Sequence, residues 1–364
     1  MNPVIPAADF IQVPWPWFQA LLLLVFPLHL LFMNAMVGSA GVALFAHLKG
    51  DAVSRRLAHQ LAKILPVLVA FAVNLGIAAL LFLQVLYGHF FYTSSVLMGI
   101  IWLSVIVLVM TAYFALYLYD FRFLRMGRKG LWVVGLAFLI FLVVPFIFTN
   151  NMTLMLRPEA WSGYFKNPAG TILNLDDPTL WPRYLHMLIG SLAIGALFVA
   201  VFGKFQQKRD PEMAAYATSL GLGVFSYLTL AQMLEGLVFL VFLPQEVKLM
   251  FLGGHPLATT VFLTAFLLAL LVLISGFRRQ VVLTAALALP LLYLMSFIRA
   301  YVRAGYLRPH FTLDRLELIP QYSPMILFFA VLLAGAGVLA WLLRNAYRVY
   351  AQGQGAYDQE ESRQ

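Results

Sequence analysis

The sequence predicts an all-α fold, a polytopic membrane bundle of about nine transmembrane helices. Three observations predict it. The 364 residues are 62% hydrophobic and only 11% charged, and the mean hydropathy is +0.88, more apolar surface than a soluble domain can hide. The apolar residues fall in nine runs near or above the roughly 20 residues that cross a bilayer as helix. These runs are too long and too continuous for the short alternating strands of an outer-membrane barrel.

Taken in order, the first run spans residues 17–47 and holds Pro27 and His29 within LLLLVFPLHLLFMNAMVGSAG. The second, 64–88, begins at ILPVLVAF and closes at YG, and the third, 95–119, runs from SVLMGIIW to the DFRF that ends it. A basic turn, FRFLRMGRKG, leads into the fourth, 131–150. The fifth, 182–203, opens on Pro182, a residue suited to a first helical turn. The sixth, 214–243, follows RDPE, and the seventh, 257–276, follows His-Pro and stops before Arg278 and Arg279. The eighth covers 281–303, and the ninth, 323–345, starts behind IPQYSP. Residues 1–350 thus form one transmembrane domain, and the polar tail 351–364, AQGQGAYDQEESRQ, is expected to be disordered.

The net charge of +9 records topology rather than affinity for nucleic acid. With the N-terminus outside and the C-terminus inside, 16 of the 24 Lys and Arg fall on the inner side, the positive-inside bias. No Lys or Arg precedes the first helix, so an exported N-terminus is expected rather than a cleaved signal. The expected location is the bacterial inner membrane. There is no cysteine, which excludes covalent c-type haem, thiolate-held iron–sulfur clusters and disulfides. Any metal must be held by His, Met or carboxylates.

Two outer loops, 150–183 and 303–324, are rich in Pro, Gly and aromatic residues and read as ordered caps. Of seven histidines, two lie where chemistry needs explaining. His29 sits about twelve residues into the first helix, roughly 18 Å at the helical rise. An imidazole at that depth needs a partner, and a hydrogen bond to another helix competes evenly with metal ligation. Met33 and Met36 share its face, and Gly38 and Gly41 suit close helix contact or a flat cofactor. His186, in WPRYLHMLIGSLAIGALF, has Gly190 one turn on. The glycine leaves room for a haem edge or for a neighbouring helix.

Three further features are polar. Glu235 is the only acid within a predicted membrane segment, and such acids are functional by default; proton acceptance and a structural ion pair are the two readings. Arg299 and Arg303, at i and i+4, and Arg183 near His186, suit bidentate bonds to carboxylates. They suit snorkelling equally.

The run FIFTNNMTLMLRP, the NPAG of the outer loop and DPTLWPRYLHMLIGSLAIGALF resemble subunit I of the cytochrome bd quinol oxidases. HLLFMNAMVGSAG and NLGIAALLFLQVLYGHFFYTSS are similar to that family's first and second helices, so the likeness covers about residues 20–240. It implies haem b, one or two, with His186 ligating the first iron and His29 the second. It implies Met325 as a second axial ligand of His186, with Met233, His255 and His310 as rivals; the carboxylates that Arg183, Arg299 and Arg303 could hold would then be haem propionates. Quinol would be the substrate, with Glu235 its proton acceptor.

The sequence also departs from the family. Where a pair of glutamates is expected to serve dioxygen reduction, it has Met98 and Ile106, and no acid lies between Asp51 and Asp120. The long quinol-binding loop after the sixth helix is replaced by LPQEVKLMFLGGHP. The function expected is therefore a haem b subunit of a respiratory complex that oxidises quinol and passes electrons to an external c-type cytochrome. A divergent terminal oxidase and a haem-free anchor or transporter are the alternatives.

Overall fold

A computed structural model describes residues 4–361, with side chains through Val349. Among the described residues there are nine helices long and apolar enough to cross a membrane. They are α1 (Trp15–Lys49), α2 (Ala52–Leu97), α3 (Gly99–Phe121), α4 (Gly130–Met155), α5 (Leu180–Gln206), α6 (Pro211–Phe242), α7 (Pro256–Phe277), α8 (Val281–Leu307) and α9 (Tyr322–Glu361). The all-α expectation holds, and each predicted run lies within one of these nine helices except two: the third, 95–119, starts in the last residues of α2 and crosses the break at Met98 into α3, and the sixth overruns α6 by one residue.

The helices exceed the apolar runs because a bilayer-length criterion finds only the part that meets lipid. α2 begins twelve residues before its predicted start. Asp51 caps it, accepting from the Ser54 backbone N–H at 2.9 Å and from its hydroxyl at 2.9 Å. The Ser54 amide, then its hydroxyl, and Lys49 hold the Asp51 carboxyl down at about 2. α2 also continues past Gly88, bending at Tyr87, whose backbone is non-helical (φ −136°, ψ 28°). The tail expected at 351–364 falls on side chains outside the described residues, as do residues 362–364 altogether.

The chain divides into two compact units. Among the described residues, 10–15 and 316–361 form the smaller. In it Ile11 pairs in parallel with Leu318, its N–H donating to the Glu317 carbonyl at 2.8 Å and its carbonyl accepting from Ile319 at 2.9 Å. α9 follows this short pairing, its residues largely exposed.

The larger unit holds α1 through α8. Its main core joins α1, α2, α3 and α4 with parts of α5 and α6, and a second apolar cluster joins α5, α6, α7 and α8. α1 and α5 approach most closely at Gly38 and Gly195. A Cβ built on Gly38 would lie 2.5 Å from the Gly195 Cα, so two helix backbones touch where both lack side chains. That settles the choice left open for Gly38 in favour of helix contact, and Gly41 likewise packs on the Phe138 ring. Gly38→Ala is expected to force these helices apart at a cost of about 1–3 kcal/mol. A fall of several degrees in the thermal midpoint checks it, and an unchanged midpoint contradicts it.

At one end of this unit the basic turns are tied together. Arg56 bridges Asp210 at 2.9 Å and Glu212 at 2.5 Å. His47 receives a hydrogen bond from the Tyr119 hydroxyl at 2.9 Å and donates to the Gly127 carbonyl at 2.9 Å. The opposite end is covered by the 156–179 segment. It is stapled to the α2–α3 junction by Ile172 N–H to Leu97 O and Ile100 N–H to Gly170 O. Asn150 accepts from the Asn174 N–H at 3.1 Å, while Asn151 bridges Ser94 and Ser95. Asp177 then accepts from the Thr179 N–H at 2.8 Å, fixing where α5 begins. This cap sets the register of the helix that carries His186.

Candidate functional site

α5 and α6 run side by side at the capped end, each contributing one face to a polar cluster inside apolar surroundings. From α5 come Arg183, His186 and Gly190, and from α6 come Gln232, Glu235, Gly236 and Phe239. A run of glycines makes the approach possible. A Cβ on Gly221 would lie 2.5 Å from the Ala196 carbonyl, and one on Gly236 would sit 3.0 Å from the His186 ring. Gly190 answers a question the sequence left open, because a side chain there would strike the Gln232 amide. Its vacancy is filled by the neighbouring helix, as expected where tightly packed helices oppose a residue without a side chain.

His186 Nδ1 lies 2.9 Å from Glu235 Oε2. The carboxylate accepts, so Nδ1 carries the hydrogen and the ring orientation is fixed. The His186 side chain is 26% exposed and Glu235 12%. Glu235 Oε1 is closed from solvent and has no hydrogen-bond partner among the described residues. Nothing in the sequence pairs these two residues, since they stand 49 positions apart.

His29 repeats the pattern on α1. Its Nδ1–H donates to the Ala72 carbonyl at 2.8 Å. A carbonyl only accepts, so the neutral ring carries its lone pair on Nε2. Its ring fills the space above Gly76, where a Cβ would come within 2.8 Å. Both histidines thus have Nδ1 occupied, and neither makes a hydrogen bond through Nε2 among the described residues. His47 differs, with both ring nitrogens engaged. His255, a rival ligand in the sequence, is the N-cap of α7, accepting from the Ala258 N–H at 3.3 Å.

The three arginines gather near these histidines. Arg299 lies over the Phe26 ring at 4.6 Å and Arg303 over Tyr87 at 4.9 Å. Arg183 lies between Phe239 at 5.2 Å and Tyr306 at 5.7 Å. Arg299 feels the positive charges of both Arg303 and Arg183, and His29 feels that of Arg299. Arg183 Nε and Nη2 and Arg303 Nε are shut from solvent without a hydrogen-bond acceptor among the described residues. A buried donor left unmatched costs about 1–3 kcal/mol, more when charged. The nearby acids are committed, Asp177 to the cap and Glu235 to His186. Two of these cations, Arg183 and Arg303, therefore carry buried donors with no acceptor among the described residues.

The described residues contain no group of three or more His, Cys, Asp or Glu able to hold a metal ion by themselves. Met325 stands in the first turn of α9, half-buried, in the smaller unit. Two clefts lie away from the cluster. One, of about 320 Å³, is lined by residues such as Tyr92, Trp161 and Tyr164, and the other, of about 760 Å³, by α1 and α4.

The sequence matches no known protein-family description, and no curated protein matches it. Among solved structures, the chain is similar to one from the bd oxidase of Geobacillus thermodenitrificans. The TM-score is 0.66 at 14% identity, with 91% of this chain and 98% of that one covered. At that identity the likeness is one of fold. The expected resemblance to the bd oxidases is borne out at that level and extends well beyond residues 20–240.

Proposed function

We propose that this chain is a haem b membrane subunit that oxidises quinol and passes electrons to a c-type cytochrome outside the membrane. The observation that carries the reading is the pairing of His186 with Glu235 beside arginine donors that lack an acceptor. A histidine that donates Nδ1–H to a carboxylate and leaves Nε2 open is how ligating imidazoles are usually held. A haem needs that ligand and partners for two anionic propionates, and the unmatched donors of Arg183 and Arg303 suit them, with the positive charge of Arg299 close by. When bound, the haem would supply a one-electron carrier. His29, with the same free Nε2, is the proposed ligand of a second haem.

Within this reading the protein's own residues divide the work. Glu235 Oε2 keeps the His186 ring in one tautomer. Oxidation of a quinol releases two electrons and two protons; Glu235 Oε1, without another partner among the described residues, is the proposed acceptor of one proton, and the other passes to water. The guanidiniums hold the carboxylates of the cofactor, and Phe239, Tyr306 and Tyr87 cover the guanidinium faces and keep water out. Electrons then leave singly to the partner cytochrome, with other subunits of a respiratory complex completing the path.

The test supplies reduced quinol and an oxidised soluble c-type cytochrome to the purified protein in lipid nanodiscs. Quinol-driven reduction of the cytochrome is expected, and Glu235→Gln is expected to slow it at least tenfold. Haem-loaded protein that leaves the cytochrome oxidised overturns the proposed direction of electron flow.

A further inference from the structure

At the basic end of the larger unit, α1 and α4 leave a cleft of about 760 Å³. Its walls are apolar, with Leu44 and Leu48 from α1 and Leu139 from α4. Gly135 deepens the floor, because a Cβ there would meet only Leu44, at 3.8 Å. Arg128 and Trp132 stand at its basic end, the indole 83% exposed. An indole so exposed on a membrane helix is at home at the level of lipid headgroups.

The head of this cleft is a constructed feature. His47 donates from Nε2 to the Gly127 carbonyl at 2.9 Å, and its ring fills the space over Gly130, where a Cβ would come within 2.6 Å. One imidazole from α1 thereby pins the turn that carries Arg128. Neither Arg128 nor Lys129 makes an ion pair or side-chain hydrogen bond among the described residues, and Arg122 and Arg125 add positive charge just before them. The cleft is thus a hydrocarbon slot with uncompensated cations at its mouth.

We infer that this cleft binds one anionic phospholipid, its phosphate on Arg128 and an acyl chain along Leu44, Gly135 and Leu139. A neutral quinone ring would leave the cations as they are, whereas a phosphate neutralises them, and basic pockets between helices favour such headgroups. The site is independent of the haem reading, being built from different residues at the other end of the helices.

The experiment titrates delipidated protein in detergent with phosphatidylglycerol, phosphatidylcholine or a short-chain quinone, reading the thermal midpoint. Native mass spectrometry counts retained lipids. Phosphatidylglycerol is expected to raise the midpoint by several degrees more than phosphatidylcholine. Arg128→Gln should cut the retained phosphatidylglycerol at least threefold, and Arg128→Lys should restore it. Gly135→Leu, filling the slot, should abolish the gain, while Arg278→Gln at the same end should not. Equal protection by both phospholipids, or a larger shift with the quinone, overturns the inference. So does an Arg128→Gln variant that retains lipid like the parent.

Discussion

His186→Ala is expected to abolish the haem b α-band bound at this position while the other helices stay in place. The imidazole is the one group on α5 whose Nδ1 is fixed by a carboxylate, at 2.9 Å, with Nε2 left for a ligand. Alanine at 186 removes the axial bond and also strands Glu235, whose Oε1 already lacks a partner. A buried charge left without its partner costs about 3–5 kcal/mol, so the single variant risks losing fold together with haem. Combining His186→Ala with Glu235→Gln removes both members of the pair and isolates ligation from stability. The double variant is expected to purify as a folded, haem-depleted protein with an unchanged far-ultraviolet helical signal. Full haem content in the double variant would show that the iron is held elsewhere.

Oxygen uptake driven by reduced quinol is expected to stay near the uncatalysed background when no cytochrome acceptor is present. Reducing dioxygen to water takes four electrons and four protons, so protonatable groups must reach the oxygen site. The helix expected to supply them has none, since no Asp or Glu stands between Asp51 and Asp120. Met98 is buried at the break between α2 and α3, and Ile106 is 60% exposed on the outer face of α3. The one acid of the cluster, Glu235, is committed through Oε2 to His186. An oxygen electrode compares uptake with and without an added cytochrome acceptor. Rapid, cyanide-insensitive uptake without the acceptor contradicts the expectation and favours a terminal oxidase.

The helices were legible because hydrocarbon imposes a length and an apolar composition on whatever spans it. What lay outside the apolar runs was less so. The basic, amphipathic stretch 52–63 belongs to α2, and only the Asp51 cap marks where it starts. The candidate site was half-legible. His186, Glu235 and the arginines stand out as polar residues in apolar helices, and Arg299 and Arg303 share a face by their spacing. Their meeting was not legible, because it depends on how α5 and α6 slide past each other. Contacts such as Gly221 on Ala196 and Gln232 against Gly190 set that register, and a single sequence carries no such information. The pair Asn150–Asn151 was the overlooked signal. Two adjacent amides late in an apolar helix need partners: Asn150 finds one in the cap that fixes the start of α5, and Asn151 finds two on α2.

The central claim is that the cluster around His186 exists to hold haem b. A reduced-minus-oxidised difference spectrum of the purified protein, with a pyridine haemochrome count, tests it most directly. An α-band of b-type haem at one or two haems per chain, without haem d absorption, is the predicted result. A protein that purifies folded with no haem band at all would contradict the account and leave a haem-free membrane anchor on the same fold.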